Sequence, residues 1–157
     1  KDRQDRKGSK WLKFTKAVIC NSQGIILNRV ISGQDIFIKF YYESDRQVSK
    51  ANVLIAFNIR NHQGTLLTNL NTADSGQSML DIYANGYFEC NWPMFNLRSG
   101  RYYCSLFCSV KGEIVDWIQN AFVIDVEDGD YHKTGQLISR NQGDILVSHS
   151  WRSNLLR

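Results

Sequence analysis

Residues 34–61, QDIFIKFYYESDRQVSKANVLIAFNIRN, decide the fold. Ile36, Ile38, Phe40 and Tyr42 fall on one side of a two-residue repeat, and Phe37, Lys39, Tyr41 and Glu43 on the other. Further on, Ile55, Phe57 and Ile59 alternate with Ala56, Asn58 and Arg60. A period of two in β-branched and aromatic residues belongs to half-buried strands, whereas a helix would space its apolar residues three and four apart. The polar residues 44–50 read as the turn between two central strands of a β-sandwich. Each strand then has a core face and a second face carrying Lys, Arg, Asn and Tyr, and function is expected on the second.

Working outward, apolar positions recur over residues 11–20, Asn21-Ser22-Gln23-Gly24 turns the chain, and residues 25–31 read as a short strand closed by Ser32-Gly33. On the other side, Asn61-His62-Gln63-Gly64 puts glycine where a turn needs a positive φ and leads into a strand over 65–72. This half therefore reads as an antiparallel meander. Residues 71–85 are polar and lack a clear period, although Met79 to Tyr83 suit a helical turn or an edge strand; they are the natural crossing between sheets. Alternation returns with Phe88, Cys90 and Trp92, stops at Pro93, and resumes with Tyr102, Cys104, Leu106 and Cys108 opposite Tyr103, Ser105, Phe107 and Ser109. A last core strand follows over 117–126, with Phe122, Ile124 and Val126 inward. Short strands punctuated by Gly and Asn turns predict an all-β fold, an antiparallel sandwich of the immunoglobulin-like or jelly-roll kind. The chain then continues to a late strand over 144–149, which needs an edge to pair with, in its own subunit or by exchange with another.

At 157 residues the chain suits one domain burying roughly 70% of its unfolded surface. Its charge is uneven: residues 1–16 hold seven Lys or Arg and two Asp, leaving twelve basic and thirteen acidic residues for the rest. Residues 1–10 have no apolar side chain with which to dock and read as a basic linker ahead of a domain over 11–157. No apolar run approaches the roughly 20 residues of a membrane helix. Cys20, Cys90, Cys104 and Cys108 form no CxxC pair and no zinc spacing, so buried free thiols are expected.

Catalytic and cofactor signatures are missing. Lys7-Gly8-Ser9-Lys10 lacks the first glycine and the preceding strand of a phosphate loop, and there is no GxSxG, HExxH or dinucleotide turn. His62, His132 and His149 read as isolated. Asp125, Glu127, Asp128 and Asp130 cluster at a strand end, where solvated carboxylates outweigh a glycosidase pair or a calcium site. A non-catalytic binding module without cofactor or metal is expected. If the strand over 51–60 lies between those over 65–72 and 101–110, then Asn58, Arg60, Tyr103, Ser105 and Phe107 line one sheet surface. Aromatic rings beside amides and a guanidinium suit a sugar, the ring packing on its C–H face and the polar groups meeting its hydroxyls. Cross-strand stabilisation is the alternative reading of those rings. Phe37, Lys39 and Tyr41 form a competing patch on the other sheet.

The order of motifs carries a resemblance. Ala17-Val18-Ile19, Asn21-Ser22-Gln23-Gly24, Gly33-Gln34-Asp35-Ile36, Ile59 through Gly64, Asn71-Thr72, Leu97 through Tyr102, Asp116-Trp117 and Gly143 through Trp151 together resemble the C-terminal carbohydrate-binding domain of Wzt-type ATPase subunits. Those subunits belong to ABC transporters that export O-antigen polysaccharide. The resemblance implies a β-sandwich that reads the finished, often capped, non-reducing end of a lipid-linked glycan on the cytoplasmic side of the bacterial inner membrane. It further implies a nucleotide-binding domain ahead of Lys1, a transmembrane permease as partner of the parent chain, and a homodimer in which residues 144–149 are exchanged. Nucleic acid is not an expected partner. The rival expectation is a structural sandwich acting only through protein contacts and dimerisation.

Overall fold

The computed structural model describes residues 5–136 and 143–156 of the chain. Ten strands and no helix make up the described residues: β1 (Arg6–Lys7), β2 (Leu12–Cys20), β3 (Val30–Ile31), β4 (Ile36–Ser44), β5 (Val48–Arg60), β6 (Leu66–Asn71), β7 (Met79–Ile82), β8 (Asn85–Trp92), β9 (Gly100–Val110) and β10 (Glu113–Glu127). They form two facing sheets. The larger is ordered β1-β10-β9-β5-β6, with β3 also on β10 and β7 also on β5; the smaller is β2-β4-β8. All pairs are antiparallel except β3 with β10. The expected all-β sandwich is what the chain forms.

The alternation read from sequence sets the core. Ile36, Ile38, Phe40 and Tyr42 of the smaller sheet meet Val53, Ile55, Phe57 and Ile59 of the larger, all buried. Phe40 lies at the centre, its ring 5.4 Å from Phe57 and 5.7 Å from Phe122. Cys104, Leu106 and Cys108 extend this surface along β9. Tyr102 is buried at the start of β9 and donates its hydroxyl to the carbonyl of Arg98 at 2.7 Å, a tyrosine corner of the type found in Greek-key sandwiches.

The two Asn-x-x-Gly segments fold alike. Asn21 Oδ1 accepts from the amides of Gln23 and Ile25, and Asn61 Oδ1 from those of Gln63 and Thr65, while Gly24 and Gly64 take φ near +80°. A short side-chain acceptor and a left-handed glycine are what such a turn requires.

Several expectations need correction. β4 and β5 do not pair; residues 44–50 carry the chain from the smaller sheet to the larger, so the first half is not a meander. Alternation fixes which face a residue takes and not which strand lies beside it. Of the strand expected over 25–31, only Val30–Ile31 forms, with Ile26 bridging Cys20. Residues 1–4 of the expected linker lie outside the described residues, but residues 5–10 dock on the domain. Arg6 and Lys7 pair with Ile118 and Trp117 of β10, and a Cβ on Gly8 (φ 113°) would come within 2.6 Å of the Val115 backbone. Their anchor is polar, which an apolar criterion misses: Arg6 Nε donates to Asp116 Oδ1 at 2.8 Å and Nη2 reaches Oδ2 at 2.5 Å.

The late segment is not a regular strand. Ile145 bridges Leu97 of the same chain, the Leu146 amide donates to the Asn96 carbonyl, and the Leu146 side chain is buried. Beyond it residues 147–156 form no strand and are exposed, with Trp151 90% accessible.

Candidate functional site

The register of the larger sheet brings the five candidate residues together. Across β5 and β9, Asn58 is opposite Ser105, Arg60 opposite Tyr103, and Ala56 opposite Phe107. Their inward neighbours are buried, while Asn58, Tyr103, Ser105 and Phe107 are half-buried and Arg60 is exposed, so all five point away from the core. β6 and β10 flank them, as β5 and β9 are the inner strands.

The structure adds neighbours that the sequence reading left out. On the β6 side, Asn69 Nδ2 donates to Asn58 Oδ1, and Asn71 Nδ2 donates at 2.8 Å to both Asn69 Oδ1 and Asp74 Oδ2. Alternation of Asn69 and Asn71 around Leu70 was the available signal. On the β10 side, Ser105 Oγ donates to Gln119 Oε1 at 3.1 Å, and Phe107 meets Trp117 edge to face at 5.5 Å. Gln119 sits in an irregular stretch between Ile118 and Phe122, where the β9–β10 ladder slips. Such irregularities re-aim side chains. The face thus carries a central amide and hydroxyl row, with aromatic rings at Phe107, Trp117 and Tyr103.

Arg60 uses Nη1 to donate to the carbonyl of Gly64 at 3.0 Å, which orients its guanidinium at the turn. Arg101 is engaged differently, donating through Nε and Nη2 to both oxygens of Asp125 at 2.8 and 3.2 Å. That hydrogen bond, with the charge behind it, holds the Asp125 carboxyl below its ordinary range.

The competing patch on the smaller sheet is more fully occupied by its own side chains. Phe37, Lys39 and Tyr41 do share an outward face. Yet Lys16 Nζ stands 4.6 Å over the Tyr41 ring, Lys39 Nζ stands 5.0 Å over Tyr87, and the two tyrosines contact each other at 5.3 Å. Cation–π contacts of this kind cover the ring faces that a sugar would need.

Each carboxylate of the cluster is engaged by a neighbouring group. Asp125 pairs with Arg101 and Glu127 with Arg29, Asp128 accepts from the Ser99 amide, and Asp130 accepts from the amides of Thr134 and Gly135. Among the described residues, no group of three or more His, Cys, Asp or Glu side chains is placed to hold a metal ion. The histidines expected to be isolated are not all so: His132 and His149 meet at 5.4 Å within an aromatic row from Tyr131 to Trp151. The four cysteines are free thiols, three buried and Cys90 half-buried. Burial pushes Cys104 up to about 12 and raises Cys90 and Cys108.

Two concavities border the face. One, of about 900 Å³, opens between β8 and the β6–β7 side of the larger sheet and includes Asn69 and Asn71. The other, of about 600 Å³, lies at the turn end beside Asn61, Arg98, Arg101, Asp128 and Asp144. Neither contains the five candidate residues, whose surface is an open sheet face beside both.

The fold resembles a solved structure described as the crystal structure of the C-terminal domain of wzt. The likeness has a TM-score of 0.73 at 17% sequence identity and covers 95% of this chain and 87% of that one. No curated protein matches the chain by sequence. The family model for the Wzt C-terminal domain matches residues 3–138. That match includes the leader strand, both inner strands of the candidate face and β10, and the chain therefore belongs to the Wzt C-terminal domain family.

Proposed function

We propose that this domain is a non-catalytic glycan-binding module that recognises the capped non-reducing end of an O-antigen polysaccharide through the outward face of its larger sheet. The observation that carries the reading is the register of β5 and β9, which sets Asn58, Arg60, Tyr103, Ser105 and Phe107 on one surface. Tyr103 and Phe107 offer aromatic area to the C–H face of a pyranose. The Asn58–Asn69–Asn71 amides and Ser105–Gln119 offer donors and acceptors to its hydroxyls, and Arg60 would add a charge-assisted bond to an anionic cap. In this reading the module serves a polysaccharide ABC transporter at the cytoplasmic side of the inner membrane, in a parent chain that works with a transmembrane permease. It needs no cofactor.

The test is titration of the domain with O-polysaccharide bearing or lacking its terminal modification, at low and high salt. Arg60→Ala and Tyr103→Ala are expected to keep the unfolding midpoint and lose the affinity; unchanged affinity in both would retire this face. A loss of affinity with salt would mark an anionic terminus meeting Arg60.

A second reading, dimerisation without glycan binding, draws on the tail. Val147, Trp151, Leu155 and Leu156 are all exposed, and apolar side chains so displayed favour a protein partner. Exchange of residues 144–149 between two copies would cover Val147. Sedimentation of the intact chain beside one truncated after Asp144 tests this: a dimer that falls apart on truncation and retains no polysaccharide supports the second reading alone.

A further inference from the structure

The groove between β8 and the β6–β7 side of the larger sheet has the makings of a site of its own. β8 is one of the two outer strands of the smaller sheet, and β6 and β7 divide the outer edge of β5 between them, so the sandwich is open along this flank. Its floor is the apolar core itself, Phe40, Phe57, Leu70 and Leu80 among the lining residues. Its rim is polar, with Asn69, Asn71, Gln77 and Asn91 beside the ring of Tyr83. The volume of about 900 Å³ is that of a small-ligand cleft, for which roughly 300–1,000 Å³ is usual.

The rim is held in place before any ligand arrives. Thr72 Oγ1 donates to the Val53 carbonyl at 2.7 Å and accepts from the Ile55 amide, and Gln77 N donates to the Thr72 carbonyl at 2.9 Å. These bonds pin the connection between β6 and β7 as a wall. Asn71 Oδ1 accepts from the Asp74 amide while its Nδ2 holds Asp74 Oδ2, and Asp81 Oδ1 accepts from the Lys50 amide. The charged residues that line the groove are Asp74, Asp81 and Glu89, with no lysine or arginine among the lining residues. Carboxylates around an apolar floor repel a uronate or a phosphate and accept hydrogen bonds from hydroxyls or an amine.

We propose that this groove is a second saccharide subsite, selective for a sugar unit without anionic groups, neutral or amine-bearing, and reached from the sheet face across Asn69 and Asn71. The proposal rests on the glycan reading of the face and deepens it. The ladder from Ser105 opposite Asn58, through Asn69 and Asn71 to Asp74, makes one polar path from the face over β6 into the groove. An anionic cap would then be taken at the Arg60 end, and a non-anionic unit farther along the glycan here.

The experiment follows backbone and side-chain amide resonances of the labelled chain during titration with four probes: methyl glucoside, glucosamine, glucuronate and glucose 6-phosphate. Methyl glucoside or glucosamine is expected to give saturable shifts at Asn71, Asn91 and Leu80, and the two anionic sugars none. Leu80→Trp, which fills the floor, should abolish those shifts. Asn71→Ala, which frees the rim without adding bulk, serves if the tryptophan disturbs the native spectrum and should weaken them. Anionic sugars shifting the same amides, or no probe shifting them, overturns the proposal. Polysaccharide that shifts Tyr103 and Ser105 but leaves the groove silent removes the groove and keeps the face; the reverse pattern removes the face and leaves the groove.

Discussion

Replacing Arg6 by alanine tests whether the basic leader is part of the domain. Asp116 is wholly buried, with a side-chain exposure of 0% against 11% for Arg6. Its carboxylate takes two hydrogen bonds from the guanidinium and one from the Phe14 amide at 2.8 Å. Arg6 Nη2 also donates to the Phe14 carbonyl at 2.7 Å. Phe14 lies on β2, the outer strand of the smaller sheet, where the β2–β4 ladder slips between Phe14 and Lys16. The pair thus satisfies both backbone groups of an edge residue and ties one sheet to the other. Arg6→Ala would strip three of these bonds and leave Asp116 with the Phe14 amide alone. Removing one partner of a buried ion pair costs about 3–5 kcal/mol, because the other charge stays buried and uncompensated. In urea, with a slope of about 2 kcal/mol/M for a domain of this size, a loss of about 3 kcal/mol lowers the midpoint by about 1.5 M. Arg101→Ala is the control, since Arg101 grips Asp125 with two similar bonds but in solvent, where such pairs contribute little. Arg6→Ala that costs no more than Arg101→Ala would refute the reasoning, and so would Arg6→Ala and Asp116→Ala effects that simply add.

Two further outcomes follow from titratable groups. Only thiolates attack a disulfide reagent, so Cys104 and Cys108, held protonated by burial, should stay silent in the folded chain at mildly alkaline pH and react once it unfolds; labelling of either at the unfolded rate would contradict their packing. The Glu113 carboxyl accepts from Ser9 Oγ at 2.8 Å and from Trp11 Nε1 at 2.6 Å, and these bonds, that of Ser9 foremost, hold it below its ordinary range. A group depressed on folding stabilises above its unfolded value and loses that contribution as the pH falls through the folded one. Glu113→Gln should therefore be less stable than the parent at neutral pH and converge with it in acid, and a deficit that is the same at both ends of the titration would count against it.

How much was legible differs from residue to residue for physical reasons. The facing of Ile36, Ile38, Phe40 and Tyr42, and of Tyr103, Ser105 and Phe107, followed from a period of two, because side chains on a strand must alternate. The turns at Asn21 and Asn61 followed from their own chemistry. Pairing did not, and residues 44–50 look like a hairpin turn because a crossing between sheets needs the same polar residues. Arg6 was missed because a leader without apolar residues looks undocked. The signal lay at the other end of the chain, where Asp116 interrupts the apolar run from Ile114 to Ile118 and demands a buried cation. The groove could not be read at all, since its floor and rim come from β4, β5, β6, β7 and β8 and exist only once the two sheets have met.

The strand order also bears on how a polymer could lie on this domain. Trp117, Phe107, Ala56 and Asn71 are successive cross-strand partners on β10, β9, β5 and β6. With strands about 4.8 Å apart, that row spans about 14 Å from the indole to the amide. Lys7 of the leader stands 6.0 Å from the Trp117 ring at one end, and the groove opens beyond Asn71 at the other. A glycan crossing the strands would therefore meet the aromatic end beside the docked leader and the carboxylate-lined groove at opposite limits of one face. A glycan running along the strands would meet Arg60 and Tyr103 and reach the groove only by turning across Asn69 and Asn71. Trp117→Ala separates these paths. It should weaken binding if the chain crosses the sheet along this row and leave it unchanged if the chain runs along the strands, whereas Tyr103→Ala should weaken binding along the second path. Equal losses from Trp117→Ala and Leu80→Trp would fix the crossing path.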